Sequence, residues 1–305
     1  TLAGLDFFRE CLNLEKKYNR KNVRIYHALQ TNGFVLDERW CNFFAENHFL
    51  VGLSIDGIKA THDTFRRDEE GKETYFHTLR AAELLKKAGA EFNVLTVVNG
   101  KTAPKIGRIY ENYRKLGFFW QQYIACLDPV REKRGEREYS LTPGAYGQFL
   151  IDLFELWYLD LQKGQQPYIR QFENYVGILM GRMPESCEQR GVCSFQSVVE
   201  ADGSVYPCDF YCMDEYRVGN LNEDSFEAMR QRLMESGFLQ ASAEHAKQCG
   251  QCPYYIVCRG GCRRHREQPE KGLGLNYFCE SYRMFFDACL PRLKEIAAAC
   301  MRGSV

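Results

Sequence analysis

Nine of the fourteen cysteines lie between residues 187 and 279, and eight of them follow a spacing that is typical of metal ligation. The order is C-x5-C-x14-C, then, after a gap, C-x2-C-x5-C-x3-C, and finally one more cysteine after sixteen residues. The eight are Cys187, Cys193, Cys208, Cys249, Cys252, Cys258, Cys262 and Cys279. Eight thiolates complete two four-sulfur sites, which suits either two iron–sulfur clusters or two structural zinc ions.

The composition narrows the possible partners and compartments. The 305 residues suffice for one large domain or two ordinary ones, and 40 basic side chains balance 40 acidic ones. This balance gives no indication of binding to nucleic acid or to an anionic membrane surface, and no run of eighteen apolar residues predicts a membrane-spanning helix. The cysteines crowd into one segment of a long chain, which disfavours a disulfide scaffold. We therefore expect a reducing cytoplasm and no membrane partner.

The N-terminus begins with TLAGLDFFRECL, which has early acids, no basic segment and no initiator methionine. A secretory signal is therefore not predicted. Since these residues already indicate a helix start with Thr1 as its cap, we expect the chain to begin within a larger protein.

Residues 1 to about 128 alternate between helix and strand patterns. Several of the strand segments are almost continuously apolar, which predicts parallel strands buried on both faces. The predicted strands are Asn22–Thr31, Phe49–Asp56, Glu91–Asn99 and Phe118–Leu127, with helices at Asp37–His48, Phe76–Ala88 and Pro104–Lys115. Such a sheet is doubly wound or a TIM-like barrel, with its chemistry at the C-terminal strand ends. Those ends are polar here, although ordinary turn chemistry explains pairs such as Asp56-Gly57 equally well.

The second half of the chain has a different pattern. Residues 129–145 are charged and predict a linker loop, and two helices are expected at Tyr146–Lys163 and Tyr168–Met180. Alternating apolar positions around Asp202-Gly203 predict a hairpin within the cysteine region. A final amphipathic helix is predicted at Tyr282–Cys300.

Together these features resemble the radical S-adenosylmethionine (SAM) enzymes with a C-terminal SPASM domain, and among them the anaerobic sulfatase-maturating enzymes. The SPASM signature C-x9-G-x4-C, C-x2-C-x5-C-x3-C and C is matched with Gly203 as its glycine and Cys187 as an additional upstream ligand. Further similar segments are LQTNG (29–33), VGLSIDG (51–57), CLDP (126–129), SVYPCDFY (204–211) and GGCRR (260–264).

The resemblance covers essentially the whole chain and implies an α/β fold. Residues 1–130 would form an incomplete radical SAM partial TIM barrel with four of its six strands. Residues 131–180 would be a linker with bridging helices, and residues 181–305 a SPASM domain with a hairpin, helices and two cluster sites.

The resemblance also implies how the cysteines divide between two auxiliary 4Fe–4S clusters. One set is Cys187, Cys193, Cys208 and Cys262, and the other is Cys249, Cys252, Cys258 and Cys279. Thiolates suit iron–sulfur and zinc alike, so spacing alone does not separate the two, and the resemblance favours clusters. Cys212 is a ninth candidate that the pattern does not need. The other five cysteines are expected to be packing thiols: Cys11, Cys41, Cys126, Cys289 and Cys300.

The resemblance assigns roles to five further residues. Asp209 matches a general base, although an aspartate beside a cluster loop could equally accept backbone hydrogen bonds. Ser54 and Arg66 match residues that hold the SAM carboxylate, for which a hydroxyl and an arginine fork are suitable partners. Gln30 and Leu127 lie at strand ends that would face cofactor and peptide.

The chain departs from the family in one respect, because the C-x3-C-x2-C motif of the SAM-cleaving cluster is absent. The resemblance implies that two strands and one helix precede the first residue. The polypeptide as given is therefore expected not to cleave SAM, whereas a full-length parent would bind SAM and a third 4Fe–4S cluster.

The predicted function is that of the parent, namely the oxidation of a cysteine or serine in an unfolded sulfatase peptide to Cα-formylglycine. A 5′-deoxyadenosyl radical would remove a hydrogen from Cβ, Asp209 would take a proton, and an electron would leave through the auxiliary clusters. The expected partners are the peptide and an electron donor such as flavodoxin or ferredoxin, with no nucleic acid, and the protein is expected to be a monomer. The alternatives are another SPASM-type peptide-modifying enzyme and a zinc-stabilised scaffold without activity.

Overall fold

The computed structural model describes residues 1–130, 132–268 and 272–303. Arg131 in the predicted linker, and residues 269–271, 304 and 305 of the predicted SPASM domain, lie outside the described residues. The chain divides into two compact units, of which the first comprises residues 1–126, 138–141 and 152–171. The second comprises residues 127–137 and 142–151 and continues from residue 172.

The first unit is built on a five-stranded parallel sheet in the order β1-β2-β3-β4-β5. The strands are β1 (Ala28–Thr31), β2 (Leu50–Ser54), β3 (Phe92–Val98), β4 (Trp120–Ala125) and β5 (Tyr168–Ile169). The four predicted strands are thus confirmed. The two-residue β5 is an addition to them, since it lies where the start of a helix at Tyr168–Met180 was predicted.

The strand β1 is shorter than the predicted Asn22–Thr31. Among the described residues, pairing with the neighbouring strand starts only at Ala28, which lies opposite Leu50. Val23 and Ile25, which precede it, are exposed. Because a strand needs a neighbour for its backbone hydrogen bonds, the propensity of these residues alone does not extend it.

One helix precedes the first strand and the others lie between consecutive strands, the last of them shared with the second unit. They are α1 (Leu5–Tyr18), α2 (Glu38–Glu46), α3 (Lys59–Phe65), α4 (Tyr75–Ala88), α5 (Ile106–Leu116) and α6 (Pro143–Gln162). Gly4, not Thr1, precedes the first helical residue, and the side chain of Asp37 caps α2 by accepting from the N–H of Trp40. The helix α3 was not predicted. Val51 and Leu53 of β2 are fully buried on one face and Gly52 is buried on the other, as expected for a strand covered on both faces.

The second unit contains short elements and one long helix. They are α7 (Arg170–Leu179), α8 (Cys187–Arg190), β6 (Val198–Val199), β7 (Ser204–Tyr206), β8 (Gly219–Asn220), α9 (Phe226–Glu235), α10 (Phe238–Ala243), α11 (Tyr255–Cys258), α12 (Arg263–Arg266), β9 (Glu267–Gln268), β10 (Gly272–Leu273) and α13 (Cys279–Met301). The predicted hairpin is confirmed as β6 and β7, whose turn contains Gly203 with φ of 84°. β8 adds a third antiparallel strand that was not predicted.

The hairpin of the second unit packs into a small apolar core. Its buried members are Val205, Tyr211, Val218, Met229, Leu233 and Phe238. The side chains of Cys193 and Cys208 pack against this cluster, so the core positions two of the predicted ligands. None of the helices in the described residues has the length and apolar composition that crossing a bilayer requires.

Candidate functional site

A buried carboxylate lies just beyond the C-terminal end of β2. Asp56, with its side chain 5% exposed, accepts two hydrogen bonds from Arg66, from Nε to Oδ2 at 2.6 Å and from Nη2 to Oδ1 at 3.2 Å. Its Oδ1 also accepts from the N–H of Val97 at 2.8 Å. Arg66 follows the last residue of α3, and its Nη1 has no acceptor among the described residues. Asp56 thus holds one edge of the guanidinium, and Nη1 on the other edge is available to donate to a ligand.

His62 fixes the same segment from the inside. Its Nδ1 accepts from the N–H of Asp56 at 3.2 Å, and its Nε2 lies 3.2 Å from Oγ1 of Thr74. Since the Thr74 hydroxyl donates to the carbonyl of Arg66 at 2.8 Å, the Nε2–H of His62 is the donor to Thr74. Burial and, after it, the charge of Arg66 lower the pKa of His62 to about 4. A neutral histidine therefore ties the backbone of Arg66 to that of Asp56.

The other residues predicted to contact SAM or peptide have simpler surroundings. Ser54 is the last residue of β2, half-buried and paired with Leu95. Gln30 is exposed on the neighbouring strand β1, opposite Gly52. Ser54, Gln30 and Arg66 thus belong to the first unit, whereas Leu127 is half-buried and belongs to the second.

The first predicted cysteine set is brought together in the second unit. Cys187 begins α8, Cys193 and Cys208 pack on the small core, and Cys262 precedes α12. Burial raises the pKa of Cys208 to about 12, with a further contribution from Cys187. Burial also raises the pKa of Cys262, with contributions from Cys187 and Cys193 among the smaller causes. Cys187 therefore lies within electrostatic reach of the other three thiols, and Cys193 lies within reach of Cys262.

The second predicted set is connected in the same way. Burial, followed by the charges of Cys279, Cys249 and Cys252, raises the pKa of Cys258 to about 12. Burial and then Cys249 and Cys252 raise the pKa of Cys279, which is the first residue of α13. The thiols that act on each of these cysteines belong to its own predicted set.

The thiol sets by themselves do not select a metal, because thiolates suit iron–sulfur clusters and zinc alike. Among the described residues, no three histidine, cysteine or acidic side chains converge closely enough to hold a single metal ion.

Asp209 lies next to the first cysteine set. It opens a short 3-10 turn, is exposed, and its Oδ1 accepts from the thiol of Cys208 and the N–H of Phe210, both at 3.1 Å. Its Oδ2 has no partner among the described residues. Tyr211, in contrast, is buried and donates its hydroxyl to Oε1 of Glu267 at 2.7 Å, so it is a core residue. Asp209 is the carboxylate of this turn that a ligand can reach.

One residue of this arrangement was missed by the sequence analysis. Asp56 was noted only as half of an Asp-Gly turn pair at a strand end. The signal that could have identified it is an arginine ten residues later, since a carboxylate at the end of a buried strand needs a positive or hydrogen-bonding partner.

Two sequence-family models match the two halves of this arrangement. The "Radical SAM superfamily" matches residues 1–112, and the "Iron-sulfur cluster-binding domain" SPASM matches residues 187–253. The fold and the cysteine sets therefore define a radical SAM protein with a SPASM domain.

Similar whole proteins narrow the class further. The cysteine-type anaerobic sulfatase-maturating enzyme of Clostridium perfringens is 43% identical over 97% of this chain and 80% of its own length. The serine-type enzyme of Klebsiella aerogenes is 30% identical over 97% of this chain and 71% of its own length. The solved structure of native anSMEcpe with bound AdoMet has a TM-score of 0.93 and 43% identity, covering 98% of this chain and 82% of that one. The chain belongs to the family of anaerobic sulfatase-maturating enzymes.

This membership confirms the predicted class and function. The family consists of radical SAM oxidoreductases that convert a cysteine or serine of a sulfatase to formylglycine. The predicted α/β fold with a SPASM domain is confirmed as well.

Proposed function

We propose that this chain serves the cysteine-type reaction, in which a sulfatase cysteine becomes Cα-formylglycine. The observation that carries the proposal is the difference in identity between the two types of relative, 43% to the cysteine-type enzyme against 30% to the serine-type enzyme over the same share of this chain. Cβ of the target cysteine loses a hydrogen atom, its thiol loses a proton and the side chain gives up an electron, and hydrolysis of the resulting thioaldehyde then releases sulfide. The chain must therefore bind a peptide, accept a proton and conduct an electron.

The eight cysteines would hold two auxiliary 4Fe–4S clusters, one for each set. The electrostatic grouping of the thiols supports this division. When bound, the clusters supply a route by which the electron leaves the substrate. The chain itself contributes the thiolates and the buried surroundings that hold them.

Asp209 would take the proton from the target side chain. A general base must be accessible and have a free oxygen, and Asp209 is exposed with Oδ2 unpartnered among the described residues. Its position directly after Cys208 puts the proton acceptor beside the first cysteine set. Proton and electron would therefore leave the substrate on the same side.

SAM would bind at the polar strand ends of the first unit. Arg66 and Ser54 would hold its carboxylate, with Gln30 as a weaker contact, and Leu127 stays a separate prediction for facing cofactor or peptide. The open edge of the Arg66 guanidinium supports this role, because a carboxylate can accept from Nη1 while Asp56 holds Nε. SAM supplies the radical that removes the hydrogen, and its cleavage would need the third cluster held by a C-x3-C-x2-C segment.

The substrate would be an extended sulfatase peptide. The structure of native anSMEcpe with bound AdoMet and Cp18Cys peptide, with a TM-score of 0.94, supports peptide binding by this fold. We further propose that the protein is a cytoplasmic monomer and receives electrons from a flavodoxin or ferredoxin.

A pair of matched peptides tests the proposal. The complete enzyme, meaning this chain preceded by a segment with the C-x3-C-x2-C motif, is given SAM, a reductant and peptides that differ only by cysteine or serine at the target. Mass spectrometry should show conversion of the cysteine peptide at least about tenfold faster, and equal rates or a preference for serine would reject the cysteine-type assignment.

A variant pair tests the base. Asp209→Asn should slow formylglycine formation by about a hundredfold or more, while SAM is still cleaved to 5′-deoxyadenosine. Asp214→Asn, on the next 3-10 turn, is the matched control and should keep the wild-type rate. Full activity of Asp209→Asn would show that another group takes the proton.

A further inference from the structure

The four residues after Cys262 form α12 and place positive and polar groups in the interior. Arg264, His265 and Arg266 are buried, and the side chain of Arg263 is 11% exposed. Three nitrogens of this turn are buried without a hydrogen-bond partner among the described residues, namely Nε of Arg263, Nδ1 of His265 and Nε of Arg266. Nδ1 of His265 lies 3.4 Å from Oε1 of Glu188 and Nε of Arg263 lies 3.9 Å from Oε1 of Glu267, whereas no carboxylate of the described residues lies near Nε of Arg266. Buried polar atoms in native proteins are rarely left unpaired, so Nε of Arg266 points to an acceptor that binds beside Cys262.

Arg266 is the most isolated charge of the turn. It is 1% exposed, and its terminal nitrogens donate only to carbonyl oxygens, from Nη1 to Glu244 at 2.7 Å and from Nη2 to Ser242 at 2.6 Å and Gly191 at 3.4 Å. Among the described residues no carboxylate pairs with it, whereas Arg263 and Arg264 each approach Glu267 at 3.9 Å. A buried cation without an anion is costly, so an anion is expected nearby.

Cysteine sulfurs of both sets lie within electrostatic reach of Arg266, and they would carry negative charge once they bind a cluster. Burial lowers the pKa of Arg266, while the charges of Cys193, Cys262 and Cys249 raise it. Ser242 links the arginine to the first set directly, because its carbonyl accepts from Arg266 and its hydroxyl oxygen accepts from the N–H of Cys193 at 2.9 Å. One buried guanidinium is therefore near ligands of two sites.

We propose that Arg266 is a counter-cation shared by the two iron–sulfur sites and that it raises their reduction potentials. The inference rests on the proposed clusters and goes beyond them in assigning a residue that binds no metal. A cluster with four thiolates gains a negative charge on reduction, and a fixed positive charge in a water-poor interior stabilises the reduced form. The Nε–H of Arg266 adds a donor for cluster or cysteine sulfur, which acts in the same direction.

The two sites are expected to respond unequally. Two of the three thiolates that act on Arg266, Cys193 and Cys262, belong to the first set, and only Cys249 belongs to the second. The first set also lies next to Asp209, the proposed proton acceptor. Arg266 would thus favour electron uptake most strongly where the substrate gives up its proton.

Redox titration of the anaerobically reconstituted chain tests the proposal. Absorbance and electron paramagnetic resonance give the midpoint potentials of wild type, Arg266→Gln, Arg266→Lys and the control Arg264→Gln. Arg266→Gln should lower both midpoints, with the larger shift in one of them, because the reduced clusters lose their buried cation. Arg266→Lys keeps the positive charge, so its midpoint potentials should lie closer to those of wild type. Arg264→Gln removes another buried arginine of the same turn, one that faces Glu267, and should leave both midpoint potentials unchanged.

The outcomes separate this inference from the proposed clusters. A chain without iron and sulfide would reject the clusters themselves. Clusters present with unchanged midpoints in Arg266→Gln, or an equal shift in Arg264→Gln, would overturn the role of Arg266. If Arg266→Gln takes up no clusters, Arg266→Lys decides, because loss of its clusters too would show that the shape of arginine and not its charge is required.

Discussion

Asp56 holds the guanidinium of Arg66 through two of its nitrogens, at 2.6 Å for Nε and 3.2 Å for Nη2, so the arginine is oriented before any ligand arrives. The carboxylate is 5% exposed and the arginine side chain 26%, which places the pair at the boundary of the interior. A third hydrogen bond from the N–H of Val97 keeps the carboxylate itself in position. Preorganisation of this kind lowers the entropic cost of binding an anion at the open edge of Arg66.

Replacing this carboxylate should therefore weaken SAM binding. In Asp56→Asn only one oxygen remains as an acceptor, and the new amide faces the N–H groups of Arg66. We expect the Kd of the complete enzyme for SAM to rise about tenfold, equivalent to about 1.4 kcal/mol, as measured by equilibrium dialysis. Glu38→Gln removes the partner of Lys87 in an exposed pair and should leave the Kd unchanged. An unchanged Kd in a folded Asp56→Asn would show that Arg66 does not need its partner.

Metal content should follow the division of the cysteines. The wild-type chain purified without oxygen should contain about eight iron and eight sulfide, and either Cys187→Ala or Cys258→Ala should lose about four of each. Cys300→Ala, near the end of α13 and outside both sets, is the control and should retain the full content. About two zinc ions and no sulfide would instead support the scaffold alternative and remove the electron-transfer role.

Stability should fall in mild acid because of His62. Its pKa is about 4 in the folded chain and about 6.5 when unfolded, so between these values the unfolded state binds more protons. The contribution is complete above pH 6.5 and is lost as the pH falls towards 4, amounting to about 3 kcal/mol at most. Urea unfolding between pH 5 and 7 should show a smaller slope of stability against pH for His62→Gln than for wild type. His77→Gln, at an exposed position, should retain the wild-type slope.

The hairpin turn before Cys208 should not tolerate a side chain. Gly203 has φ of 84°, and a Cβ there would lie 2.5 Å from Nδ2 of Asn222 and 2.8 Å from Oδ1 of Asn220. Gly203→Ala should destabilise the chain by about 1–3 kcal/mol, measured by thermal unfolding of the reconstituted protein. Gly144→Ala, where an added Cβ meets nothing within 4 Å, should unfold within a degree or two of wild type.

The sequence predicts the elements whose pattern is long and repeated. Four strands and the hairpin were predicted because their apolar periodicity extends over several residues. The two-residue strands β5 and β8 were not, because Tyr168–Ile169 looks like the start of a helix and Gly219–Asn220 has the composition of a turn. Both are strands only because a neighbouring strand accepts and donates their hydrogen bonds, and tertiary context of that kind is invisible in a local pattern.

The candidate site was predictable to a similar extent. Cysteine spacing and the family resemblance singled out both thiol sets and Asp209. Arg266, in contrast, lies in the sequence RRHR, which in isolation resembles a solvated charged segment. Its burial follows from the carbonyls of Gly191, Ser242 and Glu244, which come from segments that are distant in sequence.

The way in which the chain divides into two units limits how recombination could separate them. The backbone leaves the first unit after residue 126 and returns to it at 138–141 and again at 152–171. The helix α6 contributes residues to both units. Cutting the backbone at any one position would therefore not separate the unit with the parallel sheet from the cysteine-rich unit. Recombination at a single position of the gene would interrupt at least one of the two units. We therefore expect the two units to evolve together in one gene.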